Sequence, residues 1–101
     1  MARNLKVVYD EIACNIIKYA YDDSNGEIIF ELNYLENNIM EMVFKDRGKE
    51  FDPTKHVSDK LTVDDRINGG MGIMFCMNMM DECRYKREDG YNILTLKKKV
   101  I

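Results

Sequence analysis

Asp89-Gly90 stands between two strand-like runs, 83–88 and 91–99. An Asp-Gly dipeptide in that setting is a strong signal for a two-residue β-hairpin. It commits the end of the chain to antiparallel pairing. A second pair is spelled out earlier. Residues 27–35 alternate, with Ile28, Phe30, Leu32 and Tyr34 sharing one face, and Glu36-Asn37-Asn38 then turns the chain. Residues 39–45 continue as a strand, with Met40, Met42 and Phe44 on one side. Ahead of this pair, residues 4 to about 21 carry Leu5, Val8, Ile12, Ile16 and Tyr19 or Ala20 at helical spacing. Asp22-Asp23-Ser24-Asn25-Gly26 breaks that period. Ahead of the second pair, residues 70 to about 82 read as a short, very apolar helix. The order helix, two strands, loop, helix, two strands predicts an α+β two-layer sandwich. Its mostly antiparallel sheet carries helices on one face. A length of 101 residues predicts a single domain over 1–101.

Composition narrows the partners. The chain is 46% apolar and 33% charged, which reads as folded and soluble rather than disordered. A net charge of −3 gives no bulk attraction to nucleic acid, so no direct nucleic-acid contact is expected. Lys97-Lys98-Lys99 reads as the solvated end of the last strand rather than a basic patch. No apolar run approaches the roughly 20 residues a membrane span needs, so no membrane partner is expected. The N-terminus lacks the apolar stretch of a signal peptide. Cys14, Cys76 and Cys83 are widely spaced, and His56 is the sole histidine, which makes a poor zinc set. They are expected to be buried free thiols in a reducing, cytoplasmic compartment.

Three places break the apolar pattern. Glu11 and Asn15 lie one turn apart on the first helix, flanking Ile12 and Ile16. A carboxylate and an amide at the edge of a core need partners. They could serve as a base and a magnesium-ligating oxygen, or simply form a solvated helix edge. Asp46 follows Met40, Met42 and Phe44 by parity onto the core face. It is either an acid at the mouth of a pocket or a turn-forming residue before Arg47-Gly48. Gly69-Gly70-Met71-Gly72 opens the second helix. Glycines there let backbone N–H groups approach a phosphate, or else form a hinge or a tight helix–sheet contact. Gly48-Lys49 is followed by Glu50, so a P-loop is unsupported. Met71, Met74, Met77, Met79 and Met80 line the second helix and are expected to be core rather than a partner groove. Residues 47–69 have no period, the mark of a binding loop or lid.

In order and spacing, these breaks resemble the boxes of the histidine-kinase-like (GHKL) ATPases. Glu11-x-x-x-Asn15 resembles their N box, Asp46-Arg47-Gly48-Lys49-Glu50-Phe51-Asp52-Pro53 the first glycine box, and Gly70-Met71-Gly72 the second. Thr95, in Leu94-Thr95-Leu96, resembles the threonine on the closing strand. The stretch from Gly69 to Glu82, with Tyr85, Gly90, Asn92 and Leu94-Thr95-Leu96, is most similar to bacterial anti-sigma-factor serine kinases. The resemblance implies ATP and Mg2+ as the bound species. Asn15 would ligate magnesium, and Glu11 would orient or deprotonate the nucleophile. Asp46 would accept from the adenine amino group, with Thr95 assisting through water, and Gly48 would let the backbone pass the adenine. Gly70, Met71 and Gly72 would present the second box to the phosphates, and Arg66 is a further candidate for reaching one.

Two departures accompany the match. Glu50 replaces the second glycine of the first box. Family members also usually carry roughly 30 to 40 residues before the N-box helix, enough for a strand–helix–strand lead-in. Its absence implies an exposed sheet edge, a swapped homodimer, or a domain that binds ATP without acting on a protein. Three functions follow from the resemblance. The first is an anti-sigma serine kinase that phosphorylates an anti-sigma antagonist and binds a sigma factor. The second is a nucleotide-gated module with little turnover, whose loop 52–69 orders on ATP. The third is a structural relative that dimerises through its sheet edge.

Overall fold

The computed structural model describes residues 2–21, 26–56 and 76–100. Helix α1 spans Ala2–Asn15 and runs on into a π-helical segment, Ile16–Ala20. The helical period expected over 4–21 therefore holds, but its last turn is wider than an α-turn: Tyr21 N–H donates to the Ile16 carbonyl at 3.2 Å. Strand β1, Ile28–Leu35, returns through a short 3-10 turn, Glu36–Asn38, into β2, Ile39–Asp46. The turn places Asn37 and Asn38 at φ 64° and 61°, a left-handed conformation that asparagine tolerates better than most side chains. Strands β3, Glu82–Glu88, and β4, Tyr91–Lys99, flank Asp89 and Gly90 at φ 52° and 81°. Two successive positive φ values match the right-handed twist of a hairpin, as the Asp-Gly pair predicts.

The four strands form one antiparallel sheet in the order β1-β2-β4-β3. The two hairpins thus join through their later strands. Val8, Ile12, Ile16 and Ala20 of the helix pack on Met42 and Phe44 of β2 and Leu94 and Leu96 of β4. Cys76, Met77 and Met80 join the same cluster, so both helical segments cover one face of the sheet. The methionines described in this second segment accordingly serve the core; Met71 and Met74 lie outside the described residues.

The second helix ends earlier than expected. Residues 76–79 are helical, Met80 N–H closes a tight turn onto the Met77 carbonyl, and Asp81 N–H is captured by Lys97 in the sheet. Strand pairing takes over at Glu82, so residues 80–82 leave the helix. The apolar face of β1 also runs out. Ile28 and Phe30 are half-buried, whereas Leu32 and Tyr34 are 53% and 61% exposed, because the helical layer does not reach the far end of this edge strand. One lysine of the run makes ion pairs: Lys97 lies 3.4 Å from Glu82 and 3.9 Å from Glu41.

Candidate functional site

Asp46 closes β2 on the core face, as strand parity requires, and is buried. A buried carboxylate needs donors. Its Oδ1 receives two: the Gly48 N–H at 2.9 Å and the Asn92 amide at 2.8 Å. Neither bond engages Oδ2. Asn92 sits directly across from Asp46 in the β2–β4 register. Its amide nitrogen also donates to the Lys49 carbonyl at 2.8 Å, and its Oδ1 accepts from the Phe51 N–H at 3.2 Å and the Tyr85 hydroxyl at 2.5 Å. One buried side chain thereby ties the acid to Lys49 and Phe51 at the start of the following loop. Burial first, and the nearby Glu50 charge second, push the Tyr85 hydroxyl up from its ordinary range, which keeps it a donor.

The loop is strapped from two further sides. Arg87 donates to the Gly48 carbonyl at 2.7 Å, and Lys49 N–H donates to the Ala20 carbonyl at 2.8 Å. Tyr19 stacks on Phe51 with ring centroids 5.2 Å apart. Gly48 passes so close to the π-helical segment that a Cβ there would lie 2.5 Å from the Ala20 carbonyl oxygen. Glycine is required by that close approach to backbone. Gly48→Ala is expected to destabilise the fold by about 1–3 kcal/mol through overpacking. Thermal unfolding should then shift down by roughly 4–8 °C per kcal/mol. An unchanged melting temperature would show that the π-helical segment gives way freely.

On α1, Asn15 is buried and donates its amide N–H to the Glu11 carbonyl at 2.6 Å. That bond orients the side chain and leaves its oxygen as the remaining acceptor. Glu11 is half-buried one turn earlier. Its charge is felt by Cys76, whose thiol is pushed up to about 11, chiefly by burial and secondarily by Glu11. Cys76 is buried and Cys83 half-buried, but Cys14 is exposed, which corrects the expectation of three buried thiols. The helical stripe is the reason: Cys14 lies between the core positions Ile12 and Ile16, off the face they define.

The sheet does not bring Thr95 to Asp46. Thr95 pairs with Val43, an odd three steps along the register from the Asp46–Asn92 pair, so its side chain lies on the opposite face. There it borders Arg84, Lys86 and Ile93. The polar neighbour of the acid is Asn92, which sequence reading noted only as part of a resembling stretch. Counting parity from the Asp89-Gly90 turn finds it, because Asn92, Leu94 and Leu96 alternate onto the core face. Arg66, Gly70, Met71 and Gly72 lie outside the described residues, as does loop 57–69. Among the described residues no cluster of three or more histidine, cysteine, aspartate or glutamate side chains could hold a metal. No described helix is long and apolar enough to cross a membrane.

This arrangement has relatives. The chain is 29% identical over 101 residues to the serine-protein kinase RsbW of Bacillus subtilis, covering 93% of this chain and 62% of the relative. It is 30% identical over 94 residues to the serine/threonine-protein kinase BtrW of Bordetella bronchiseptica, covering 91% and 66%. The chain thus spans about three-fifths to two-thirds of the length of these relatives. In fold it is similar to the blue-light activated histidine kinase EL346 of Erythrobacter litoralis, with a TM-score of 0.66 and 12% identity over 95% of this chain and 29% of that one. The histidine kinase-like ATPase domain matches residues 1–98, and the chain belongs to that family.

Proposed function

We propose that this domain binds ATP with magnesium and transfers the γ-phosphate to a serine of a protein substrate. The observation that carries the reading is the Asp46–Asn92 pair. A buried carboxylate is held rigid through one oxygen, with the other left to accept from an adenine amino group. On α1, the oriented Asn15 amide would supply a hard oxygen suited to a magnesium ion that keeps most of its waters. Bound magnesium would neutralise charge on the phosphates. Glu11 would align the serine hydroxyl and take its proton as the oxygen bonds to the γ-phosphorus and the bond to the β–γ bridging oxygen breaks, releasing ADP. The residues present fit this group, since a single protein ligand plus phosphate oxygens suffices for magnesium. The two kinases described above support the serine as acceptor.

The resemblance of the second glycine box to anti-sigma-factor kinases supports an anti-sigma antagonist as substrate and a sigma factor as a second partner, in the cytoplasm. Calorimetry with ATP, with and without magnesium, tests the site before any partner is known. Magnesium is expected to tighten ATP binding. Asn15→Ala is expected to abolish that gain while leaving adenosine binding intact. Equal losses for adenosine and ATP would make Asn15 structural.

A further inference from the structure

Asn92 has no bonding capacity left to spend on a ligand. A side-chain amide offers two N–H donors and two acceptor lone pairs. Both donors are taken, by the Asp46 carboxylate and the Lys49 carbonyl, each at 2.8 Å. Both lone pairs are taken, by the Phe51 N–H at 3.2 Å and the Tyr85 hydroxyl at 2.5 Å. These bonds also fix which way round the amide sits. Turned over, its oxygen would meet two acceptors, the Asp46 carboxylate and the Lys49 carbonyl, and its amino group would meet the Phe51 N–H, a donor. On the oxygen side the shorter of the two bonds is the one from Tyr85. That residue belongs to β3, two strands away from Asp46 in the sheet. It stands opposite Leu94, so its hydroxyl reaches Asn92 along the diagonal of the core face. Two residues on, Arg87 donates to the Gly48 carbonyl at 2.7 Å. Strand β3 therefore supports both the acid and the loop that follows it.

We propose that Tyr85 is a specificity-determining positioning residue, which through Asn92 holds the Asp46 carboxylate in the setting that tells purines apart by their exocyclic amino group. This inference rests on the reading of Asp46 as the acceptor for adenine. Neither Tyr85 nor Asn92 contacts the base; each acts by restricting the group that does. The restriction matters because a hydrogen bond weakens steeply as its angle opens, and a carboxylate set in advance spends less of its binding energy on ordering. With the Tyr85 hydroxyl removed, the Asn92 oxygen keeps only the 3.2 Å bond from Phe51, and the amide that steers Asp46 gains freedom.

Calorimetry in the presence of magnesium tests it with two ligands: ATP, and the triphosphate of purine riboside, which is ATP without the amino group. The native protein is expected to prefer ATP. Tyr85→Phe keeps the ring of this half-buried residue and removes only the hydroxyl. It should weaken ATP roughly 2- to 10-fold, the range of one hydrogen bond, and leave the amino-free triphosphate unchanged. A residue that merely supports the fold would weaken both ligands alike. Circular dichroism checks that the variant is folded. Asp46→Asn then closes a double-mutant cycle. In that background the discriminating carboxylate is gone, so adding Tyr85→Phe should not change the ratio of the two affinities further. Equal weakening of both ligands, ATP binding that ignores Tyr85→Phe, or an undiminished effect of Tyr85→Phe beside Asp46→Asn would each overturn the proposal while leaving nucleotide binding intact. A native protein that binds neither triphosphate would overturn the nucleotide reading and this inference with it.

Discussion

Glu11→Ala is expected to lower phosphotransfer about 100- to 10,000-fold at matched ATP occupancy, the usual contribution of a positioned general base. ATP affinity should stay the same or rise slightly, because an anionic side chain near a triphosphate repels it. Glu11 sits one turn before Asn15, and among the described residues no salt bridge engages its carboxylate. A purely structural Glu11 would contribute about 0.2–0.5 kcal/mol through local charge pairs, so the two roles differ by orders of magnitude in rate. The rate is measured on an antagonist protein or, failing that, as slow ATP hydrolysis. Turnover at the native rate in the alanine variant would remove Glu11 from the chemistry. A native protein with no turnover on any antagonist would leave a nucleotide-gated binding module as the better account.

Asp46→Asn separates recognition of the base from support of the fold. An amide oxygen can accept the same two hydrogen bonds, from Gly48 N–H and from Asn92, that the Asp46 Oδ1 accepts now. That requirement points the new amino group to where Oδ2 stood. The adenine amino group would then meet a donor instead of a carboxylate. Loss of a hydrogen bond to a charged group should weaken ATP roughly 10- to 100-fold. Guanine presents a carbonyl at that position, so the native site should reject GTP and the variant should narrow the preference. Thermal stability should change little, since the Asn92 network is kept. Native binding of GTP as tight as ATP would sink the role assigned to Asp46.

Much of this arrangement is local and therefore legible in the residues. The Asp89-Gly90 hairpin, the alternation of 27–35 and 39–45, and the Val8, Ile12, Ile16 stripe each depend on neighbours a few positions apart. Period two, period 3.6 and turn chemistry report those directly. The burial of Asp46 follows from the same parity, because nothing interrupts β2 before it. The last turn of the first helix was legible as helix but not as a π-helical turn, which is stabilised by the loop packed on it through Lys49 and Gly48.

What the chain order could not convey is which distant residue meets which. Asp46 and Asn92 are 46 positions apart, and their pairing is set by β2 joining β4 in one register out of several that local pattern allows. That register puts Asn92 beside the acid and turns Thr95 to the other face. The neighbouring β3–β4 pairing brings Arg87 onto the glycine-box loop and Tyr85 onto Asn92. Likewise, the alternation in β1 predicts an apolar face for Leu32 and Tyr34, but only the reach of the helical layer decided that they stay exposed. Local periodicity determined the elements and their inward faces, since each is fixed by backbone geometry within a few residues. Strand order, register and the extent of the covering layer were decided by burial summed over the whole domain, so they became visible only in the tertiary structure.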